Sequence, residues 1–206
     1  MEGELIMAYE ELKSSGITAN TPKNIVLGAG TLHRGLTYSD EYVGGGRWNF
    51  EESLIGATSG GTKITIVPEF KDIEVDGALV KVKGLAVKIG ETATLETNMV
   101  ELTPEWIKMS VVGQEGVSAY NGYNVIESKR QLENGDYIEN FGYVGKYLDG
   151  RPVIIIFDYA LCTSGFEHEG KNKENGVFKA TFECYAELSS EADILPYHIY
   201  TPTGTV

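Results

Sequence analysis

Positive charge is scarce in this sequence. Its 206 residues include 17 Lys and Arg against 30 Asp and Glu, which gives a formal net charge of −13 and a pI near 4.7. Proteins that bind nucleic acid or anionic membrane surfaces carry clusters of basic residues that neutralise phosphates. We therefore expect no tight binding of either kind.

Long apolar runs and cysteines are also few. The longest run, Val153 to Phe157, is far shorter than the roughly 20 residues of a membrane-spanning helix, so we expect a soluble chain with no membrane insertion. The start, Met1 to Glu4, is acidic where a secretory signal is basic, which argues against export by a cleaved signal. Cys162 and Cys184 lie in segments predicted as buried strands. They can form one disulfide but no disulfide framework, and we predict assembly in a reducing, intracellular environment.

Glycine is abundant, with 25 residues, and several glycines follow Asp or Asn. Such pairs supply the positive φ angles of tight hairpin turns. Two pairs divide segments rich in β-branched and aromatic residues. Asp76-Gly77 separates Thr62–Val75 from Ala78–Ile89, and Asp149-Gly150 separates Tyr137–Leu148 from Arg151–Phe157. The sequence thus predicts two long antiparallel hairpins.

Alternation of apolar and polar residues predicts which faces are buried. Phe178–Leu188 alternates throughout and is typical of a strand with one core face. In the first hairpin the alternation places Ile64, Ile66, Pro68 and Phe70 on one face, with Thr65, Val67, Glu69 and Lys71 on the other. Around Gly84 the apolar residues change from even-numbered positions, Val80 and Val82, to odd-numbered positions from Leu85 onward. This change predicts a β-bulge or bend at Gly84.

Helix signals are few, and one long loop is expected. Thr103 followed by Pro104 predicts a capped helix over about residues 104–111. Residues 1–21, with Leu5, Tyr9 and Leu12, are predicted as a short helix or an N-terminal arm. A mobile loop at about residues 38–52 carries aromatic residues that are candidates for a contact surface. These are Tyr38, Tyr42, Trp48 and Phe50.

Catalytic and metal-binding patterns are not found. Gly56–Lys63 has Thr before its Lys and precedes a predicted strand, unlike a phosphate-binding loop. Gly28-Ala29-Gly30 is better explained by a bend or close packing. Glu167, His168 and Glu169 are consecutive and point to alternating sides of a strand, so we interpret them as a solvated charged turn. We predict no enzymatic activity, catalytic residue, metal or cofactor.

The order of five segments supplies a resemblance over somewhat under half of the chain. These are Pro22–Gly30, Leu54–Gly61, Glu74–Ala78, Lys83–Leu85 and Leu95–Thr103. Their order resembles the major tail tube proteins of tailed bacteriophages and prophages. The resemblance implies an antiparallel β-sandwich or rolled barrel with a short flanking helix, formed by residues 22–206 as a single domain. It also implies hexameric rings that stack into a hollow tube, through which phage DNA passes into the host without sequence-specific contacts.

The resemblance further implies a virion tail assembled in the bacterial cytoplasm, with tape measure, tail terminator and distal tail proteins as other partners. Contacts between subunits are expected from residues 1–21, from the 38–50 loop and from the segment after Pro196. The polar face of the first hairpin and of the strand that follows it supplies candidates for the lumen lining, namely Glu69, Lys71, Lys88, Thr92, Thr94 and Glu96. Six copies at −13 each bring −78 to a ring, and such a channel would repel DNA rather than hold it. From composition alone, the same charge can equally serve solubility.

Two alternatives remain open. The aromatic stretches Tyr120–Tyr123 and Tyr137–Tyr147 are compatible with a non-catalytic carbohydrate-binding module on a β-sandwich, although tyrosine is also common between strands and subunits. The inner tube of a contractile tail or injection machine is the other alternative, because a tube fold can serve both kinds of assembly.

Overall fold

The computed structural model describes residues 15–41, 47–170, 172–188 and 194–203. These residues contain three α-helices, one 3₁₀ turn at Asn134–Asp136 and thirteen strands. The helices are α1 (Thr21–Asn24), α2 (Phe50–Ser53) and α3 (Pro104–Val111). The strands are β1 (Val26–His33), β2 (Tyr38–Ser39), β3 (Arg47–Trp48), β4 (Leu54–Gly56), β5 (Thr58–Asp72), β6 (Ala86–Met99), β7 (Gly113–Gly116), β8 (Val125–Ser128), β9 (Ile138–Tyr147), β10 (Pro152–Cys162), β11 (Glu167–Glu169), β12 (Val177–Cys184) and β13 (Tyr197–Tyr200). The N-terminal segment with Leu5, Tyr9 and Leu12, and the candidate contact residue Tyr42, lie outside the described residues.

Nine strands form one antiparallel sheet, in which seven follow the order β4-β1-β9-β10-β12-β6-β5, while β11 pairs with β12 and β13 pairs with β10. Strand β10 has two further neighbours, because its first half pairs with β13 and its last residues pair with β12. The sheet therefore divides at β10. Leu32 of β1 and Phe157 of β10 share one buried cluster with Leu95 of β6 and Phe182 of β12. The predicted mainly antiparallel β fold is confirmed.

The second predicted hairpin is also confirmed. Strands β9 and β10 pair from Lys146 opposite Pro152, near the turn, to Ile138 opposite Ala160. Gly150 has φ +90° and donates its backbone N–H to the carbonyl of Tyr147 at 2.9 Å, as the Asp149-Gly150 pair predicts. Side chains on both faces of β10 are buried, which explains its run of apolar residues.

The predicted alternating strand is β12, which ends at Cys184 rather than Leu188. Phe178, Ala180, Phe182 and Cys184 are buried, as the alternation predicts. Cys162 lies opposite Phe182 and Cys184 lies opposite Ala160, so the two cysteines are diagonal neighbours, and both thiols are free. The disulfide between Cys162 and Cys184 that the sequence allows is not formed.

In the first predicted hairpin, the predicted end of the first strand, Val75, and the predicted start of the second, Ala78, are wrong. Strand β5 ends at Asp72 and β6 begins only at Ala86. The connection turns at Asp76-Gly77, where Ala78 N–H donates to Val75 O, and turns again at Gly84, which has φ +97°. Residues 78–85 have strand-forming side chains but no neighbouring strand, and β-propensity stabilises a strand only where a pleated surface is available.

Of the two alternatives predicted at Gly84, the bend is confirmed, and the bulge lies elsewhere. The register of β5 and β6 shifts where Glu69 lies opposite Gly90 and Phe70 lies opposite Lys88, so the extra residue is Ile89. In β1 the bend expected at residues 28–30 is confirmed, because the register with β9 shifts between Leu27 and Thr31. Gly30 has φ +71°, and a Cβ there would lie 2.3 Å from Tyr143 Cε2, so the close approach of Tyr143 requires glycine.

Helix α3 flanks the sheet at the predicted position. The Thr103 hydroxyl accepts a hydrogen bond from the Trp106 N–H at 3.2 Å, and Pro104 occupies the first turn. Trp106 is buried against Phe182, with 5.6 Å between the ring centroids. No helix among the described residues is long and apolar enough to cross a membrane.

Candidate functional site

The outer part of the β5–β6 hairpin, residues 67–90, is here called the arm. Large apolar side chains are exposed along its whole length, and Phe70 and Leu79 are 63% and 97% exposed. There are nine of these side chains, Val67, Phe70, Ile73, Val75, Leu79, Val80, Val82, Val87 and Ile89. Ile64 and Ile66 pack against the core as predicted, but Pro68 and Phe70 on the same face are exposed. The arm therefore extends beyond the part of the hairpin that packs on the core.

The arm also differs from the rest of the chain in charge. It contains Lys71, Lys81, Lys83 and Lys88 and an equal number of acidic residues, so its formal charge is zero. The whole net charge of −13 thus belongs to the remainder of the chain. Lys81 Nζ lies 2.7 Å from a carboxylate oxygen of Asp72, across the base of the connection. The arm is therefore apolar and electrically neutral, although the protein is strongly acidic.

Five of the six residues predicted to line a lumen share one face of the hairpin. The register places Thr65 opposite Thr94, Val67 opposite Thr92 and Lys71 opposite Val87. Glu69, Lys71, Thr92, Thr94 and Glu96 therefore lie on this side, here called the polar face. Lys88 does not, because the bulge at Ile89 turns it to the face of Phe70, where its Nζ lies 2.9 Å from Glu91. The prediction that Lys88 lies on the polar face is therefore wrong, because it counts alternate residues straight through this bulge.

The polar face continues onto β12 and β11. Thr181 lies opposite Glu96 and Glu183 opposite Thr94, while Lys179 is the partner of Glu167. Opposite charges are close, because Lys63 Nζ is 2.6 Å from a Glu96 carboxylate oxygen and Lys179 Nζ is 3.8 Å from one of Glu167. Threonines and paired charges dominate this face, and paired lysines have less capacity to bind phosphates.

The structure brings Tyr38, Trp48 and Phe50 together at the base of the predicted loop. Trp48 contacts Tyr38 and Phe50, with ring centroids 5.4 and 6.5 Å apart. Strands β2 and β3 pair at this base, and α2 follows. Trp48 and Phe50 are half-buried against a second cluster that contains Leu36, Ile154 and Ile156. The expectation of a loop of exposed aromatics thus holds for Tyr38 but is wrong for Trp48 and Phe50.

A shallow apolar cavity of about 470 Å³ lies beside these rings and is here called the notch. Its lining is aromatic, proline and aliphatic side chains from β2, β3, β10 and the end of the chain, namely Tyr38, Trp48, Pro152, Ile154, Tyr200, Thr201 and Pro202. Trp48 and Tyr200 are 5.2 Å apart at their centroids, a contact between residues 152 positions apart that no local pattern predicts. Residues 197–200 of the predicted C-terminal arm are β13, which pairs with β10.

A buried hydrogen-bond network fixes the base of this loop. His33 is 2% exposed, and its Nδ1 lies 2.9 Å from the Ser53 hydroxyl, which donates to Asn49 O at 2.7 Å. Nδ1 is therefore the ring donor, and Nε2 accepts from the Thr31 hydroxyl at 2.8 Å. Desolvation lowers the pKa of His33 to about 4, so the ring is neutral at pH 7. This network explains His33 as a structural residue.

Metal and catalytic sites gain no support from the described part of the chain. Within it, no group of three or more His, Cys, Asp and Glu side chains is arranged to hold a metal. Glu167, His168 and Glu169 form the exposed strand β11, not the predicted turn, and His168 stacks on Phe178. Gly56–Lys63 is the end of β4 and the start of β5. Burial raises the pKa of the Cys184 thiol to about 12, which opposes nucleophilic reactivity.

A polar cleft of about 560 Å³ lies between α3 and the β7–β8 hairpin. Tyr123 and Tyr137 line it together with Arg34, Glu105 and Lys108. Tyr123 is exposed, whereas Tyr137 packs edge-on against Tyr185 with centroids 5.5 Å apart. Tyrosine rings beside charged groups in this cleft fit the carbohydrate-binding alternative.

Comparison with known proteins gives no family for this chain. No protein-family model matches it, and no curated protein matches it significantly. The functional argument therefore depends on the arm, the polar face, the notch and the cleft.

Proposed function

We propose that the chain is a structural subunit that forms hexameric rings, and that these rings stack into a hollow tail tube for the passage of phage DNA. The observation that carries this proposal is the arm, with its nine exposed large apolar side chains. These side chains fall within 24 consecutive residues, and large exposed apolar surfaces are rare on soluble monomers and commonly mark interfaces.

The structure of the arm favours a protein partner. A two-stranded ribbon without further support is marginally stable in water, so an arm that projects from the core gains stability when it is covered. Strand β5 is also at an edge of the sheet, and an unpaired edge is a template for strand addition. A neutral arm can approach a second acidic copy without the repulsion that the rest of the chain would meet.

The polar face supports the assignment of a lumen. A channel for DNA must neither bind phosphates tightly nor expose apolar surface to water. Threonines and paired charges meet both needs over the inner part of the polar face, where Lys63 and Lys179 are each held near a glutamate. Farther out, Val67 and Val87 are exposed on the same face. We place Glu69, Lys71, Thr92, Thr94 and Glu96 at the lumen and leave Lys88 out, because it lies on the opposite face. Tape measure, tail terminator and distal tail proteins complete the proposed assembly.

Sedimentation velocity over a concentration series tests the assembly. The chain is expected to form large species whose size grows with concentration. Phe70→Ser, in the arm, should raise the concentration needed for assembly by about tenfold, which corresponds to about 1.4 kcal/mol. Tyr120→Ser removes an equally exposed ring from the β7–β8 loop and serves as the control. Equal effects of the two substitutions would contradict the role of the arm.

Nuclease protection tests the lumen assignment. Glu69→Lys with Thr92→Lys adds positive charge to the polar face without breaking an ion pair found among the described residues. Tubes of this variant assembled with short DNA should shield it from nuclease, whereas wild-type tubes should not. Glu105→Lys with Glu174→Lys makes charge changes of the same sign at other exposed positions. Protection by this control, or none by the polar-face variant, would exclude the lumen placement.

The polar cleft favours one second candidate, a carbohydrate-binding module. Aromatic rings stack on sugar faces, and Tyr123 is available for that contact. A glycan panel tests this candidate. Saturable binding that is lost in Tyr123→Ala and kept in Phe70→Ser would favour it over the tube.

A further inference from the structure

The tip of the arm, residues 78–88, combines apolar and basic side chains. It contains Lys81, Lys83 and Lys88 and no acidic residue, so its formal charge is +3 in a chain of −13. Leu79 and Val80 are the most exposed apolar side chains of the arm, at 97% and 77%. The tip therefore presents two aliphatic side chains next to two lysines.

The notch has the opposite charge on one side. Tyr38 and Trp48 of its floor belong to segments 38–41 and 47–53, which contain four acidic residues and one basic residue, Arg47. Asp40 and Glu41 lie two and three residues after Tyr38, and neither forms an ion pair with another residue that the structure describes. Arg47 lies 3.9 Å from Glu52, and Arg151, beside the notch residue Pro152, is held 2.7 Å from Asp149. These segments thus have a formal charge of −3, and their carboxylates at Asp40 and Glu41 have no ion-pair partner in the described part of the chain.

We propose that the arm tip of one copy docks in the notch of a second copy, with Leu79 and Val80 on the aromatic floor and Lys81 and Lys83 facing Asp40 and Glu41. This proposal depends on the proposed self-assembly and names the two surfaces that meet. Among residues 15–41, 47–170, 172–188 and 194–203, Leu79 is almost fully exposed and Tyr38 and Tyr200 are each about half exposed, so this part of one copy leaves both surfaces accessible.

The chemistry of the two surfaces is complementary. Leu79 and Val80 would leave water for a floor of Trp, Tyr, Pro and Ile side chains. The aliphatic stems of lysines pack on aromatic rings while their ammonium groups remain near carboxylates and ring faces. Two different surfaces that bind each other form a heterologous contact, which closes into rings or continues as a helical polymer. A single contact of this kind can therefore propagate an assembly.

Cysteine crosslinking between copies tests the contact directly. Leu79→Cys and Thr201→Cys are purified separately, mixed, assembled and oxidised. The native Cys162 and Cys184 are buried, so the introduced thiols are the accessible ones. The matched control pairs Leu79→Cys with Val117→Cys, another exposed site, on the β7–β8 loop. The first pair is expected to give at least about tenfold more of the mixed disulfide than the control, since docking raises the effective concentration of the thiols.

The outcomes separate this contact from assembly itself. If assemblies form and both pairs crosslink equally, the docking proposal is wrong while the tube proposal stands. If the wild-type chain forms no assembly at any concentration, the proposed function fails, and the docking fails with it. If a glycan shields Thr201→Cys from a maleimide while Leu79→Cys gives no crosslink, a sugar occupies the notch and the proposal is wrong.

Charge exchange provides a second, independent test. Lys81→Glu with Lys83→Glu should raise the concentration needed for assembly by about tenfold or more. Adding Asp40→Lys with Glu41→Lys should restore assembly, even though the ion pair of Lys81 with Asp72 stays broken. Arg130→Glu with Lys173→Glu makes the same total charge change at other exposed positions. A control as damaging as the tip variant, or no restoration, would overturn the proposal.

Discussion

Acidification from pH 7.5 to 5.0 is expected to destabilise the chain through His33. In the folded chain, desolvation lowers the pKa of His33 to about 4, whereas an unfolded histidine has a pKa of about 6.5. Below pH 6.5 the unfolded chain therefore binds a proton that the folded chain does not. Stability falls as the pH decreases through this window, and the loss is complete near pH 4. At 1.36 kcal/mol per pKa unit, about 2 kcal/mol is lost between pH 7.5 and 5.0.

Urea unfolding of the wild type and of His33→Gln at both pH values measures this loss. Carboxylates titrate in both proteins, so the difference between their pH dependences isolates His33. The wild type should lose about 2 kcal/mol more than the variant. Titration of the imidazole by NMR gives the same answer without a variant, with an expected midpoint near 4. Equal pH dependences, or a midpoint near 6.5, would refute the account of the His33 network.

Three further predictions concern the core and its close contacts. Trp106→Ala should lower the free energy of unfolding by about 3–5 kcal/mol in urea titrations, because the indole is fully buried; a loss under about 1 kcal/mol would contradict this packing. Gly30→Ala should lower the free energy of unfolding by more than Gly35→Ala does. Both glycines have positive φ, but only at Gly30 would the new Cβ contact Tyr143. Equal losses of unfolding free energy in the two variants would contradict the requirement for glycine at position 30. Cys184 should react with a thiol reagent only after unfolding, since its thiol is buried and its pKa is raised to about 12.

Local signals in the sequence predict the elements whose causes are local. The Asp149-Gly150 turn, the capped helix at residues 104–111 and the alternating strand from Phe178 are all present. Each depends on neighbouring residues, through a positive φ, an N-cap or a side-chain period of two. Their bounds agree within one residue, except that β10 extends to Cys162 rather than Phe157 and β12 ends at Cys184 rather than Leu188.

The arm differs from the sequence prediction because residues with strand-forming side chains form a strand only beside another strand. Residues 78–85 have the composition of a strand, yet no neighbour supplies a pleated surface. The bulge at Ile89 has no glycine or proline at its own position, so parity counted from Gly84 places Lys88 on the wrong face. One inserted residue is enough to reverse every side chain beyond it.

The candidate site is only partly predictable. Tyr38, Trp48 and Phe50 were identified as contact residues because they are aromatic and close to a run of glycines. Their packing against Ile154 and Tyr200 follows from strand pairings that no local pattern encodes. The same holds for His33 and Ser53, which meet because β1 and α2 are adjacent in space.

Electron microscopy of the purified chain over a concentration series tests whether the chain forms tubes. Hollow, regularly striated tubes built from six-fold rings are expected, and they should become fewer at a given concentration in Phe70→Ser. A chain that remains monomeric at every concentration while the arm keeps its exposed apolar surface would contradict the tube proposal.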